Sequence, residues 1–181
     1  GALGSLGLPV MVLAFPPKLA IAILLPLYLI TDIFVAYTWR KFPVLKILKL
    51  MVLGGLLGQV LGWICFEYLE DKYILILIGI LALITSIRYF KGIFFKNNTV
   101  TQIIKIKSSL SRAIGWCGFS GFSSFVALTG GIPAQIFLLP IGLERQLFVG
   151  TMSFYFLIIN LAKLPFFFDL QLFNSTSIML S

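Results

Sequence analysis

From residue 19 to residue 39 the chain carries a single charged side chain, Asp32, and similar apolar runs recur over residues 48–66, 73–90, 113–129 and 147–168. Each is close to the roughly 20 residues that a helix needs to cross the hydrocarbon core of a bilayer. An open sheet is excluded at this depth, because lipid cannot satisfy its edges. Barrel strands would alternate apolar and polar residues, whereas these runs are continuous. Composition agrees. Hydrophobic residues make up 60% of the chain and charged residues 11%, against about 25% charged in a soluble domain. The expected fold class is therefore all-α, a polytopic helical membrane protein, and its length leaves room for about six or seven spans.

The 14 Lys and Arg outnumber the 6 Asp and Glu. In a soluble chain that excess would suggest nucleic acid, but here it lies in loops beside apolar runs, as the positive-inside rule expects. Arg40, Lys41, Lys46 and Lys49 make the 40–49 loop basic. Arg88, Lys91, Lys96, Lys105, Lys107 and Arg112 do the same for 88–112, with no acid among them. The 67–72 turn, with Glu67, Glu70, Asp71 and Lys72, is net acidic. The expected arrangement is a multi-pass protein of the cell (inner) membrane, with the two basic loops cytoplasmic and the acidic turn outside. If segment 113–129 crosses once, segment 147–168 runs the same way as 19–39. An interfacial helix is expected around 101–107.

The chain opens at Gly1 without a basic leader and stops in the apolar string Ile178-Met179-Leu180-Ser181, which reads as a membrane protein incomplete at both ends. The expected organisation is a first membrane repeat over 1–90, a basic cytoplasmic linker over 91–112 and a second membrane repeat over 113–181. Histidine is absent, acids are few, and Cys65 and Cys117 sit inside apolar runs. No nucleophile–base pair, metal site, cofactor or disulfide framework is expected, so the chain reads as no enzyme.

The repeat rests on two weak strings. Gly7-Leu8-Pro9 resembles Gly131-Ile132-Pro133, and each precedes a turn and a long span. With a gap of about four residues in the turn, Asp32 falls on Asn160. If both matched spans run the same way, the two repeats are parallel, with Gly/Pro-broken helices. Paired breaks of this kind point to a transport site, because exposed backbone at membrane depth is tolerated only where it lines a cavity or meets a ligand. Half-helix N-termini favour anions. The candidate substrate or ion pathway comprises Asp32, Asn160, Lys163, Thr129, Gly130, Gly131, Pro133, Gly7, Pro9, Ser123 and Ser124. Asp32 and Lys163 each cost at least about 2.5 kcal/mol at the centre of a lipid-facing helix. A function or a buried partner must offset that, although Lys163 has the alternative of snorkelling to the interface. Gly54, Gly58 and Gly62 form a stripe of small residues suited to close helix packing. Ser120, Ser123 and Ser124, beside Gly118 and Gly121, either line a polar path or pack.

Several strings resemble the TauE/SafE sulfite exporter family of membrane permeases. They are Gly121-Phe122-Ser123-Ser124-Phe125-Val126-Ala127 leading into Gly130-Gly131-Ile132-Pro133, then Leu138-Leu139-Pro140, Phe148-Val149-Gly150-Thr151 and Asn160-Leu161-Ala162-Lys163-Leu164-Pro165. Gly4 to Pro9, Leu25-Pro26-Leu27, Asp32, Trp39-Arg40 and Gly54 to Gly62 agree more weakly. The resemblance implies a two-repeat helical secondary transporter that moves sulfite, sulfonates or related organosulfur and organic acids across the cytoplasmic membrane. Many similar members carry a His, a small residue and Gly-Gly-Pro-Pro where this chain has Leu128-Thr129-Gly130-Gly131-Ile132-Pro133. A relay through that His does not carry over, and Thr129 offers a hydroxyl. The expected partners are a small anion, the lipid bilayer and protons as coupling ion, through an Asp32 that either takes a proton or pairs with Lys163. No nucleic acid is expected. The alternatives are a transporter of a different solute, cation or neutral, and a membrane scaffold subunit that transports nothing.

Overall fold

The computed structural model describes residues 2–66, 68–94 and 110–170, and among them it contains helices and no strand. The helices are α1 (Ala2–Met11), α2 (Pro17–Thr38), α3 (Leu45–Phe66), α4 (Asp71–Phe94), α5 (Leu110–Ala127), α6 (Gly131–Leu138) and α7 (Arg145–Asp169), with a 3-10 turn at Leu139–Ile141. The interfacial helix expected at 101–107, most of the 91–112 linker and the apolar segment after 170 lie outside the described residues.

Among the described helices, α2, α3 and α7 are long and apolar enough to cross a membrane. Their outward faces carry bare apolar side chains such as Ile30, Ile33 and Phe34 on α2 and Leu57, Leu61 and Ile64 on α3. So much exposed hydrocarbon suits a bilayer and not water. Local chemistry sets the ends. Pro16 is extended and Pro17 opens α2, where a missing N–H costs nothing. Gly142, at φ 71°, makes the left-handed corner before α7.

The direction of each helix follows from its contacts. Asn160 on α7 meets Asp32 on α2, and beyond the end of α2 Phe42 packs on Gly150 while the Val44 N–H donates to Thr151 Oγ1. The two helices are therefore antiparallel. Gln59 meets Ile159, and Trp63 donates to Asp169 at 3.1 Å, so α3 and α7 run parallel. Gly54, Gly58 and Gly62 meet Ala113, Gly118 and Phe125 in turn, so α3 and α5 are parallel as well. After α5 the chain folds back. Ser120 holds the Gly130 carbonyl, and Ala134 and Phe137 of α6 return to a cluster with Met51 and Ala113.

This hairpin corrects the sequence reading. Segment 113–129 runs beside α3 to the level of Phe66, but the chain does not continue from there: α6 brings it back, and α7 starts on the side where α5 started. The segments matched by the repeat thus run in opposite directions, and the parallel repeat expected from the sequence is not what they form. Lys163 accordingly lies toward the 67–72 side, not the basic-loop side. The first break also moves. The helix α1 continues through Gly7 and Pro9 to Met11, and the chain turns at Val12–Pro16 instead. In the second half the turn falls at 128–130, just before the Gly131-Ile132-Pro133 string, where Pro133 sits in the first turn of α6 and forfeits no helical bond.

Two apolar clusters hold the helices. One gathers Leu8, Ile21, Leu25, Phe66, Ile78, Phe125 and Phe167. The other gathers Leu48, Met51, Ala113, Cys117, Phe137, Tyr155 and Ile159. Between α3 and α5 the packing is backbone on backbone. A Cβ at Gly58 would overlap the Gly118 carbonyl, and one at Gly121 would overlap that of Gly55. The glycine stripe on α3 thus meets a second set of glycines on α5.

Candidate functional site

Four helices present polar side chains to one cavity. On α2, Tyr28, Thr31, Asp32 and Val35 share a face through their i, i+3 and i+4 spacing. On α7 the same spacing aligns Val149, Met152, Ser153, Phe156 and Asn160. Ser124 comes from the end of α5, Leu128 from the turn just after it, and Gly131 and Gln135 from α6. Together with Leu27 and Phe148 these residues line a cavity of about 610 Å³.

A continuous hydrogen-bonded chain forms part of its wall. Asn160 Nδ2 donates to Asp32 Oδ2 at 2.6 Å. Lys163 Nζ donates to Asn160 Oδ1 at 2.7 Å and to Ser124 Oγ at 2.9 Å. Asp32 is half-buried, Asn160 is 5% exposed and Lys163 is 0% exposed. Lys163 therefore does not snorkel: its ammonium is held inside the bundle, and it reaches Asp32 through Asn160. Hydrogen bonds to charged groups contribute about 1.5–3 kcal/mol each. Two on Lys163, about 3–6 kcal/mol together, are enough to offset the ~2.5–3.5 kcal/mol cost of placing a charged residue at mid-membrane.

Of the residues the sequence singled out, Asp32, Asn160, Ser124 and Gly131 line the cavity, and Lys163 stands behind Asn160 and Ser124. A Cβ at Gly131 would meet nothing within 4 Å, so the backbone at the start of α6 faces open space. Its first-turn N–H groups have no helical partner. Gly130 is packed instead, since a Cβ there would lie 2.6 Å from the Ser120 carbonyl oxygen. Ser123 is buried and spends its hydroxyl on the Phe119 and Ser120 carbonyls. Thr129 is buried, and its Oγ1 has no hydrogen-bond partner. Pro133 is buried within α6. Gly7 and Pro9 are half-buried in α1 and line no part of the cavity, although Gly7 lies against the Tyr28 hydroxyl. Leu128, on the cavity wall, holds a left-handed backbone with φ 51°, a conformation that costs a non-glycine residue about 1–2 kcal/mol.

Tyr28, Thr31, Gln135 and Ser153 belong to the lining without having been singled out. Helical spacing from Asp32, Gly131 and Asn160 was the signal that could have found them. Ser120 and Tyr155 form a separate buried pair, in which the tyrosine hydroxyl donates to Ser120 Oγ at 3.0 Å and Ser120 donates to the Gly130 carbonyl at 2.6 Å. That pair ties α7 to the turn between α5 and α6. Among the described residues no group of His, Cys, Asp and Glu could hold a metal ion.

Residues 1–180 match the family model of the sulfite exporter TauE/SafE family. The chain belongs to the TauE/SafE family. This assigns it to a family of membrane exporters and agrees with the apolar spanning helices. No curated protein and no solved structure matches it. The TauE/SafE match spans both halves of the chain, including the hairpin of α5 and α6 and all the residues of the polar chain.

Proposed function

We propose that the protein is a secondary transporter of small sulfur oxyanions, such as sulfite, sulfonates and related organosulfur or organic acids, and that the cavity between α2, α6 and α7 is its binding site. The observation that carries this reading is the cavity itself, with the Asp32–Asn160–Lys163–Ser124 chain in its wall. An oxyanion needs donors and positive potential. Asn160, Ser124 and the start of α6 at Gly131 supply donors, and the end of a helix dipole favours negative charge. Much of the rest of the wall is apolar, from Leu27, Val35, Phe148, Met152 and Phe156, beside the polar Tyr28, Thr31, Gln135 and Ser153. A compact inorganic anion would leave much of that wall bare, so an anion carrying a short organic group fits better. Asp32 would repel the anion when ionised, which suits a carboxyl that exchanges a proton with the transported charge.

In proteoliposomes the protein is expected to move labelled sulfite or a short sulfonate above the level of empty vesicles. Asn160→Ala is expected to raise the half-saturation concentration by about tenfold to a hundredfold, the equivalent of a lost charged hydrogen bond of about 1.5–3 kcal/mol. Folded wild-type protein that moves neither class of anion would overturn the proposal.

The same reading places the 40–49 and 88–112 loops in the cytoplasm. It is supported by geometry, since the end of α2, the start of α3 and the start of α5 share one side of the bundle while the 68–72 turn lies at the other end of α3. In a background without Cys65 and Cys117, a membrane-impermeant thiol reagent added outside is expected to label Asp71→Cys and spare Lys41→Cys. The opposite pattern would reverse the orientation.

A further inference from the structure

The lysine behind the cavity raises a separate question. Lys163 is 0% exposed and is not part of the cavity lining, so a bound anion does not touch it. Yet its ammonium contacts the two side chains, Asn160 and Ser124, that do line the cavity on α7 and α5. An ammonium has three donors and no acceptor. Any group it contacts must therefore offer it a lone pair. Asn160 gives its Oδ1, which fixes the amide with the NH2 end turned away from Lys163. One N–H of that end goes to Asp32, and the other is left over. Ser124 gives an Oγ lone pair and keeps its O–H to donate. Without the ammonium, Asp32 still holds the NH2 end of the amide, but Asn160 Oδ1 and Ser124 Oγ lose their donor and become acceptors open to other groups.

Resting on the proposed anion transport, we infer that Lys163 is the charge-selectivity determinant of this cavity, a positioning residue that turns Asn160 and Ser124 into donors facing the substrate. It acts in two ways. It fixes the polarity of both groups, so that the wall between α5 and α7 offers hydrogens and rejects solutes that need acceptors. It also offsets the negative charge of Asp32, so that an incoming anion meets no net repulsion from the chain Asp32–Asn160–Lys163.

The test compares two probes of similar shape, methanesulfonate and the uncharged dimethyl sulfone, binding to purified protein in lipid nanodiscs. Wild type is expected to prefer methanesulfonate. Lys163→Met keeps most of the length of the side chain and removes its charge; it is expected to weaken methanesulfonate by about tenfold or more beyond its effect on dimethyl sulfone, which accepts from the same donors without carrying charge. A purely structural role would weaken both probes together, so the ratio is the readout. The charge-balanced pair Asp32→Asn with Lys163→Met carries the test where the single variant does not fold. It leaves the Asn160 amide unfixed and is expected to bind the two probes nearly alike. A folded variant of either kind that keeps the wild-type preference overturns the role of Lys163 and leaves anion transport standing. Wild type that binds neither methanesulfonate nor sulfite overturns both.

Discussion

Gly58→Leu is expected to abolish the accumulation of folded protein in the membrane. The first added atom, the Cβ, already overlaps the carbonyl of Gly118 on α5. That obstacle is backbone and cannot swing aside as a side-chain tip would. Relief requires moving α3 away from α5. The same stretch of contact includes Gly54 against Ala113, Gly121 against the Gly55 carbonyl and Gly62 against Phe125, so separation at one point opens the others. Overpacking within an ordinary core costs about 1–3 kcal/mol, and forcing apart two backbones exceeds the ~4 kcal/mol that marks an exceptional single substitution. The consequences extend to the site, because α5 carries Ser124 and leads into the α6 hairpin. Gly79 on α4 provides the contrast. A Cβ there meets nothing within 4 Å, so Gly79→Ala is expected to leave yield unchanged. Detergent-extracted protein measured by size-exclusion chromatography distinguishes the two. Normal, monodisperse Gly58→Leu would show that α3 and α5 do not pack as described.

The glycine stripe on α3 was legible in the sequence because small residues at intervals of four leave few other uses for one helix face. Its partners on α5 were harder to see, since Gly118 and Gly121 sit among serines that suggested a polar path. Of those serines Ser124 reaches the cavity, while Ser120 and Ser123 are consumed by carbonyls of the hairpin. Asp32, Asn160 and Lys163 stood out because a charge or amide inside an apolar run demands a partner, and the partners proved to be one another. Helix direction was not legible. Hydropathy and loop charge count crossings, but they do not distinguish a span from a hairpin that enters and returns. Here the distinction rests on three residues, Leu128 to Gly130, and on the short length of α6. Once α6 turns back, every later direction inverts. The Gly7-Leu8-Pro9 string misled for a related reason: proline late in a helix needs only one missing hydrogen bond, and α1 runs past it.

Asp32→Asn is expected to eliminate accumulation driven by a pH gradient while leaving exchange of substrate across the vesicle membrane intact. The replacement keeps the size of the side chain, and its Oδ1 still accepts the hydrogen bond that Asn160 Nδ2 gives to the carboxylate. The cavity and its donors therefore survive. What disappears is the one carboxyl among the lining residues, and with it the group able to change charge as substrate binds and leaves. The sign of the effect on affinity is also fixed by the geometry. Removing a negative charge from the wall while Lys163 stays behind Asn160 makes the potential at the cavity more positive, so the half-saturation concentration for anion exchange should hold or fall. Loss of affinity together with loss of coupling would point to a collapsed site, and the elution profile of the purified variant would reveal it. Retained accumulation against a gradient in a folded variant would remove Asp32 from the coupling step. The two assays separate its roles because gradient-driven accumulation requires a proton to be carried, whereas exchange requires only that the anion bind and be released on both sides.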